Sequence, residues 1–186
     1  MASNTIILIG PICAGKSTVA EILSDKTGIH QRPMDDLRFD YYKEIGFSEE
    51  KQNKIRENDG YMAMYEYWKP FEAHAVKRVL EDYPNFIHDF GAGHSVYEDE
   101  DLFKEVNDAL SNYENIFLLL PSQNEMESIN VLNERLKEVT TNKDAYKLNE
   151  HFVEHKSNKL LAKHIIYTNG KTPEMVADTI IQISGV

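Results

Sequence analysis

The sequence predicts an α/β fold, a three-layer sandwich in which helices flank a mostly parallel sheet of five strands. Two patterns predict this fold. Short, unbroken apolar runs alternate along the chain with longer segments of helical character. These apolar runs also lack the polar and apolar alternation of a half-exposed strand, so we expect helices to cover both faces of a parallel sheet.

The strands are predicted from their composition, in chain order. Residues 5–9 are a continuous apolar run that ends at a glycine. FIHDF at 86–90, IFLLL at 116–120 and HIIYT at 164–168 are similar runs. Residues 31–34 are a weaker fifth candidate. Runs of this length, bounded by turn residues, are typical of buried strands.

Helical segments are predicted between and after the strands. The last one has Thr172 as its N-cap and Pro173 at its first helical position. Residues 139–159, rich in Asn, Lys, Glu and His, have the weakest packing pattern, so we expect a lid or an exposed helix there. The predicted helices span 16–26, 60–82, 101–111, 125–139 and 173–183.

The composition indicates one globular domain over all 186 residues. The net charge of −11 repels a nucleic-acid backbone, so we expect no nucleic-acid partner. No apolar run approaches the roughly 20 residues that span a bilayer, so we expect no membrane partner either. The single cysteine, Cys13, cannot form an internal disulfide and favours a cytoplasmic protein. Both a monomer and a homodimer fit these properties.

The segment after the first strand matches a phosphate-binding loop. It fits G-x-x-x-x-G-K-[ST], with a predicted strand before it and a helix after it. Backbone amides in such a loop and the start of the helix together form an anion site. Lys16 would reach the β- and γ-phosphates of ATP, and the Ser17 hydroxyl would bind Mg²⁺. The predicted nucleotide-binding residues are Gly10, Pro11, Ile12, Cys13, Ala14, Gly15, Lys16, Ser17 and Thr18.

Cys13 lies inside this loop and has two interpretations. It could be an activated thiol beside a helix N-terminus. We favour the other interpretation, a small side chain at a position where only the backbone matters.

The chain resembles the small P-loop metabolite kinases, and among them the shikimate kinase type. Besides the loop, MDDLRFD at 34–40 is similar to the D-x-D-x-x-I-E segment that follows the second strand of that family. The resemblance implies a catalytic role for Asp36, which would accept the hydroxyl of the phosphate acceptor and assist its deprotonation. A helix N-cap is the structural alternative for Asp36.

The third predicted strand and the residues after it also carry the resemblance. HDFGAGHS at 88–95 resembles the family's glycine-rich substrate loop, which implies that Gly91, Ala92 and Gly93 approach the acceptor. Asp89 looks like a carboxylate that holds Mg²⁺ through water. A structural turn is the alternative for the glycines.

Two segments near the C-terminus resemble the family's nucleotide-binding elements. VLNERLKE places Arg135 where the family has an arginine that contacts the nucleotide, which implies a catalytic and binding role. A partner for Glu138 or a solvated side chain is the alternative. YTNGKTPEMVADTI resembles the final strand, turn and helix, which implies that Thr172 and Pro173 lie against adenine.

The resemblance fails at the acceptor site. Met34 replaces the first aspartate of D-x-D, and the arginine of the family's long helix aligns near Phe71 and Glu72. The arginine segment of the family's lid aligns with His155 and Lys156. Shikimate carries a carboxylate, which arginines recognise through paired hydrogen bonds. We therefore expect an acceptor other than shikimate.

GYMAMYEYWKPFEAH at 60–74 is the predicted lining of the acceptor pocket, within acceptor-binding helices at about 36–82. Tyr65 and Trp68 recur at helical spacing, and each ring carries a hydrogen-bonding group. A helix face buried in the core explains the spacing too. With Glu72 nearby, the pattern suits a neutral or cationic acceptor with a flat or apolar face, and we expect Arg38 to point into the same space. A nucleoside, an aminoglycoside-like amine or a sugar derivative would fit.

HFVEH at 151–155 spaces two histidines by four residues, as zinc-binding helices do. It lacks the H-E-x-x-H order and a cysteine partner, so the sequence predicts a solvated lid helix there and no metal site.

Together these features predict a cytoplasmic kinase that uses ATP and Mg²⁺ to phosphorylate a hydroxyl of a small molecule. A lid at about 140–158 would close to exclude water. A nucleoside or nucleotide kinase of the same fold is one alternative, and five arginines in the whole chain favour a nucleoside over a nucleotide. A regulator that binds ATP and transfers nothing is the other.

Overall fold

A computed structural model describes residues 4–186. Its five strands are all parallel and lie in the order β2-β3-β1-β4-β5. The predicted α/β sandwich is confirmed, and the weak fifth strand candidate is one of its edges. The strands are β1 (Ile6–Ile9), β2 (Gln31–Pro33), β3 (Ile87–Asp89), β4 (Ile116–Leu120) and β5 (His164–Tyr167).

Nine α-helices occur within residues 4–186, and none of them is both long and apolar enough to cross a membrane. The predicted acceptor-binding helices at about 36–82 were not divided into α2 and α3; α3 is polar apart from Ile55 and buries no residue. A short 3₁₀ helix spans Ala92–Ser95. The α-helices are α1 (Lys16–Thr27), α2 (Met34–Glu44), α3 (Glu49–Asn58), α4 (Gly60–Asp82), α5 (Glu100–Leu110), α6 (Glu125–Leu136), α7 (Lys143–Glu154), α8 (Lys156–Leu161) and α9 (Pro173–Ser184).

The central strand β1 explains why the apolar runs are unbroken. All four of its residues are fully buried. Because successive side chains of a strand point to opposite faces, Ile7 and Ile9 pack in the core layer that contains α4 and α5. Ile6 and Leu8 pack on the other face, with residues of α1 and α9. Both faces of β1 are therefore covered.

The strand order places three chain turns side by side. The carboxyl ends of β2, β3 and β1 lie at one edge of the sheet because these strands are parallel neighbours. The loop at 10–15, the start of α2 and the turn at 90–95 follow these three strands. In open parallel sheets, ligands bind in the crevice outside the carboxyl ends of the strands.

We expect Gly10→Ala to destabilise the fold far more than Gly170→Ala. Both glycines have positive φ, +139° and +76°, but a Cβ at Gly10 would lie 2.6 Å from the Leu119 carbonyl oxygen, whereas open space surrounds Gly170. Gly170→Ala should cost about 1–2 kcal/mol for its backbone conformation. Gly10→Ala should lose a further 1–3 kcal/mol from the steric clash. Urea unfolding of both variants measures the difference, and equal losses would contradict the close approach.

Candidate active site

The phosphate-binding loop between β1 and α1 has the curled backbone that an anion site requires. Gly10 and Gly15 have positive φ, and so does Cys13 at 62°, which is uncommon for a residue with a side chain. Such changes in the sign of φ turn successive amides toward one point. Burial raises the pKa of the Cys13 thiol, although Lys16 and Arg135 lie nearby and oppose the rise. This argues against an activated thiol and for a position where the backbone matters.

The Lys16 side chain folds into the loop. Its ammonium donates hydrogen bonds to the carbonyl oxygens of Gly10 and Pro11, both at 2.8 Å. Burial lowers the pKa of Lys16 to about 8, although Asp35 and Asp89 favour its charged form. A phosphate would supply the negative charge that the carbonyl oxygens supply only in part.

A cavity of about 360 Å³ adjoins this loop and extends to α2, α4 and α7. Lys16 and Ser17 form its loop end, whereas Tyr65 and Trp68 belong to its α4 wall. Twelve of the predicted site residues line it, namely Ile12, Cys13, Lys16, Ser17, Arg38, Tyr65, Trp68, Glu72, Asp89, Gly91, Ala92 and Gly93. One cavity therefore contains both the predicted phosphate end and the predicted acceptor end.

Ser17 and Asp89 are the residues that could hold a metal ion at this cavity. Both line it, and Asp89 is buried at the end of β3, where one carboxylate oxygen accepts a hydrogen bond from Gln31 Nε2 at 3.0 Å. A hydroxyl and a carboxylate are oxygen ligands, which Mg²⁺ prefers, and Mg²⁺ usually keeps several waters. The donor set therefore fits Mg²⁺.

The two neighbouring aspartates of α2 differ in their position relative to the cavity. Asp35 lines it and contacts Arg38 at 3.2 Å, whereas Asp36 is not among the lining residues of the described chain. Both are exposed and lie in the first turn of α2, where successive residues point about 100° apart. The catalytic role of Asp36 stays a prediction, and the cavity adds Asp35 as a second candidate.

Glu72, the acid that the sequence places near the acceptor, is paired within the protein. It is 3% exposed and pairs with Lys69, one helical turn earlier on α4. Lys69 also donates hydrogen bonds to the carbonyl oxygens of Gly93 and Val96, at 2.8 and 3.0 Å. Glu72 Oε2 contacts the ammonium without a well-aligned hydrogen bond. The pair cancels most of the charge that Glu72 would offer a cationic acceptor.

Tyr65 and Trp68 of α4, here called the aromatic wall, line the cavity and also pack against the hydrophobic core. Their helical spacing is therefore compatible with both a core stripe and a cavity lining. Tyr65 is 2% exposed, yet its ring lines the cavity, and its hydroxyl donates to Glu98 Oε1 at 2.9 Å. Trp68 Nε1 donates to Gln52 Oε1 at 2.9 Å. The polar tips of both rings are therefore bound within the protein, and the rings present apolar surface to a ligand.

Three buried polar atoms of cavity-lining residues have no well-aligned hydrogen bond within the protein. They are Arg38 Nε, Glu72 Oε2 and His94 Nδ1. His94 is 1% exposed, its Nε2 lies 3.1 Å from the Tyr42 hydroxyl, and burial lowers its pKa to about 3, so its ring is neutral. A lone histidine in a loop is usually solvated, so its burial here was not expected from the sequence. Unpaired buried polar atoms in a cavity wall suit hydrogen bonds to a ligand.

The expected lid region is mostly helix α7, and it is not an exposed helix. Leu148 and Phe152 are buried and line the cavity. Asn149, 1% exposed, accepts a hydrogen bond from the Ile12 amide at 2.8 Å and donates one to the Ile12 carbonyl at 3.3 Å. α7 is thus bound to the phosphate-binding loop through its backbone. Motion of this region stays a prediction.

Comparison with known proteins gives similarity in structure alone. No protein-family profile matches the chain, and neither does any curated protein. The shikimate kinase of Acinetobacter baumannii, solved with shikimate, is 16% identical with a TM-score of 0.64, over 98% of this chain and 93% of that one. The chain has the fold of the shikimate kinases. The resemblance inferred from its sequence motifs is confirmed at that level.

Two further solved structures support the same fold. The shikimate kinase of Aquifex aeolicus is 22% identical with a TM-score of 0.59, over 97% of this chain and 96% of that one. A gluconokinase of Sinorhizobium meliloti is 10% identical with a TM-score of 0.57, over 100% and 94%. The same framework therefore occurs in proteins named for different substrates.

The predicted nucleotide-binding residues outside the cavity have mixed positions. Arg135, near the end of α6, donates a hydrogen bond to the Cys13 carbonyl at 3.0 Å, so it lies against the phosphate-binding loop as its predicted role requires. Thr172 and Pro173 are exposed at the start of α9, where Thr172 Oγ1 accepts from the Met175 amide at 3.3 Å. Their contact with adenine stays a prediction.

Sequence reasoning missed several residues of the cavity. Leu148 and Phe152 had a detectable signal, since apolar residues four apart form one face of a helix. Lys69 precedes Glu72 by three residues, a spacing that pairs charges on a helix, but only the tertiary structure shows that both are buried. Asp35 had no signal that separated it from Asp36.

We expect a strong coupling between Glu72 and Lys69. Glu72→Gln leaves a buried ammonium without its carboxylate, and Lys69→Met leaves the carboxylate alone, so each should lower the free energy of unfolding by about 3–5 kcal/mol. The double variant should lose clearly less than the sum of the two. Urea unfolding of the four proteins measures this coupling, and additive losses would contradict a buried ion pair.

Proposed function

We propose that this protein is a kinase that transfers the γ-phosphate of ATP to a hydroxyl of a small molecule other than shikimate. One observation carries the proposal. A single cavity is lined by Lys16 and Ser17 of the phosphate-binding loop at one end and by Asp35 and an aromatic wall at the other. This arrangement suits ATP at the Lys16 end and an acceptor at the Asp35 end, with the γ-phosphate and the acceptor hydroxyl between these two side chains.

In the proposed reaction, Lys16 and the amides of the loop hold the phosphates of ATP. Ser17 and Asp89 would hold Mg²⁺, which would supply positive charge that offsets the charge of the phosphates. Asp35 accepts a hydrogen bond from the acceptor hydroxyl and assists its deprotonation. Arg38, in ion-pair contact with Asp35, holds this carboxylate in place. Catalysis is then positioning and charge neutralisation, without a covalent intermediate on the protein.

The charges of the cavity favour an uncharged acceptor. Arg38 is the one arginine among its lining residues in the described chain, and Asp35 already contacts it. A carboxylate such as that of shikimate would need a free arginine fork. A cationic acceptor would gain little from Glu72, because Lys69 pairs with it. A sugar derivative or a nucleoside, with hydroxyls and a flat or apolar face, fits the aromatic wall best.

The first experiment is ADP release from Mg²⁺–ATP with a panel of acceptors. Sugars, nucleosides, aminoglycosides and shikimate would be compared, with Lys16→Ala as the blank. We expect release that depends on a neutral hydroxyl acceptor. ATP binding without acceptor-dependent release would support a regulatory nucleotide-binding protein in place of a kinase. Activity with shikimate would contradict the argument from Arg38.

We expect the two neighbouring aspartates to differ sharply in the transfer assay. Asp35→Asn should lower kcat by about 10²–10⁴-fold, the range for loss of a general base, while the Kd of ATP stays within about twofold. Asp36→Asn is the matched control, because it makes the same chemical change one residue away on an exposed position. It should keep nearly full activity. The reverse result would restore Asp36 as the catalytic residue.

We expect ATP binding to take up a proton at alkaline pH. The pKa of Lys16 is about 8 in the free protein, and phosphates beside it would raise that pKa again. Above pH 8, binding therefore requires reprotonation of Lys16, and the Kd of ATP should rise by up to about tenfold per pH unit.

Calorimetry at pH 9 in two buffers of different ionisation enthalpy measures this proton uptake. Lys16→Arg is the control, because an arginine stays protonated at this pH and should take up no proton. Identical binding heats for the native protein in both buffers would contradict the lowered pKa of Lys16.

A further inference from the structure

The two histidines of HFVEH acquire a third partner in the folded chain. His151, in the last turn of α7, and His155, just after it, lie beside Glu98, which follows the 3₁₀ helix more than fifty residues earlier. One ligand atom from each of the three side chains lies within 4.8 Å of the other two. His151 Nε2 and Glu98 Oε1 are 2.5 Å apart.

We infer that Glu98, His151 and His155 form a binding site for a divalent transition-metal ion of the Zn²⁺ class. Two imidazole nitrogens and one carboxylate are an established ligand set for Zn²⁺, with the fourth tetrahedral position open to water. Tetrahedral bonds of about 2.1 Å place ligand atoms about 3.4 Å apart. The three side chains therefore need shifts of about 1 Å, and all three are partly or fully exposed and free to make them.

A neighbouring group orients one of the three ligands. The Tyr65 hydroxyl donates to Glu98 Oε1 at 2.9 Å, and hydrogen bonds to ligand side chains set their orientation and add to affinity. The Ser157 amide donates to His155 Nδ1 at 3.3 Å. Because a neutral imidazole has one nitrogen lone pair, an ion would replace this long hydrogen bond as well as the one between His151 and Glu98. An ion pair accounts for His151 and Glu98, and capping of α8 accounts for Nδ1 of His155. Neither of these contacts requires ligand atoms of all three side chains to lie within 4.8 Å of one another.

The site would fasten α7 to the acceptor side of the cavity. Glu98 follows the glycine turn at 91–93, and Tyr65 both lines the cavity and contacts Glu98. The same helix is joined to the phosphate-binding loop through Asn149. A bound ion would therefore hold α7 at its C-terminal end while Asn149 holds its middle. This binding does not depend on phosphate transfer.

The test is titration of the full chain, free of any affinity tag and stripped with a chelator, with ZnCl₂ at pH 7.5. We expect one equivalent to bind by calorimetry and the thermal unfolding midpoint to rise, because a ligand of the native state stabilises it. His155→Asn removes the imidazole, while an asparagine can still accept the Ser157 amide as an N-cap does. We expect binding at least about 100-fold weaker, since even outer partners are worth about 10–100-fold.

His74→Asn is the matched control, because His74 pairs with Glu44 at 2.7 Å on another part of the surface and belongs to no cluster of three ligands within the described residues. It should bind Zn²⁺ like the native protein. His151→Gln is a second variant that keeps a donor for Glu98, and it should lose binding as well. The inference would be overturned if the native protein binds no Zn²⁺. It would also be overturned if His155→Asn and His151→Gln bind Zn²⁺ as tightly as the native protein does.

Discussion

The cavity depends on one buried cation, the ammonium of Lys16. Removing a charge from water is costly, and two carbonyl oxygens of its own loop offset part of that cost. The negative charges of Asp35, in the first turn of α2, and of Asp89, at the end of β3, offset more of this cost. Three neighbouring parallel strands are needed to bring these groups together. The order of the strands therefore determines the electrostatics of the site. A phosphate would offset the positive charge of Lys16 that these groups leave unbalanced.

The α4 wall of the cavity differs from the loop end, because most of its polar groups are already paired within the protein. Lys69 pairs with Glu72, and the tips of Tyr65 and Trp68 bind Glu98 and Gln52. Apolar ring surface remains open to the cavity, together with Arg38 Nε, Glu72 Oε2 and His94 Nδ1, which have no well-aligned hydrogen bond. Internal pairing of this kind lowers the net charge of the wall without making the wall apolar. The same fold occurs in a shikimate kinase and a gluconokinase, so the fold by itself does not determine the substrate.

Helix α7 connects the two halves of the site. Its middle is bound to the backbone of Ile12, its inner face lines the cavity, and its C-terminal end lies against Glu98. A displacement of α7 away from the sheet would break all three contacts, because all three are made by this one helix. Exclusion of water from the cavity and retention of its contents would thus be governed by the same few hydrogen bonds.

The sequence by itself determined what depends on near neighbours in the chain. The glycine spacing and the lysine of the loop, the unbroken apolar strands and the N-cap of α9 each use residues within about eight positions, and all of these elements are where the patterns predicted them. Even α4 was predicted at both ends, because its amphipathic pattern is long.

Only the tertiary structure decided which side chains meet across the chain. Which of Asp35 and Asp36 lines the cavity depends on the rotation of α2 against the cavity, and a one-residue difference carries no pattern in sequence. Asn149 meets Ile12 from 137 positions away, and Glu98 meets His151 from 53. Contacts at such separations are set by how helices pack on the sheet, and local propensity contains no information about them.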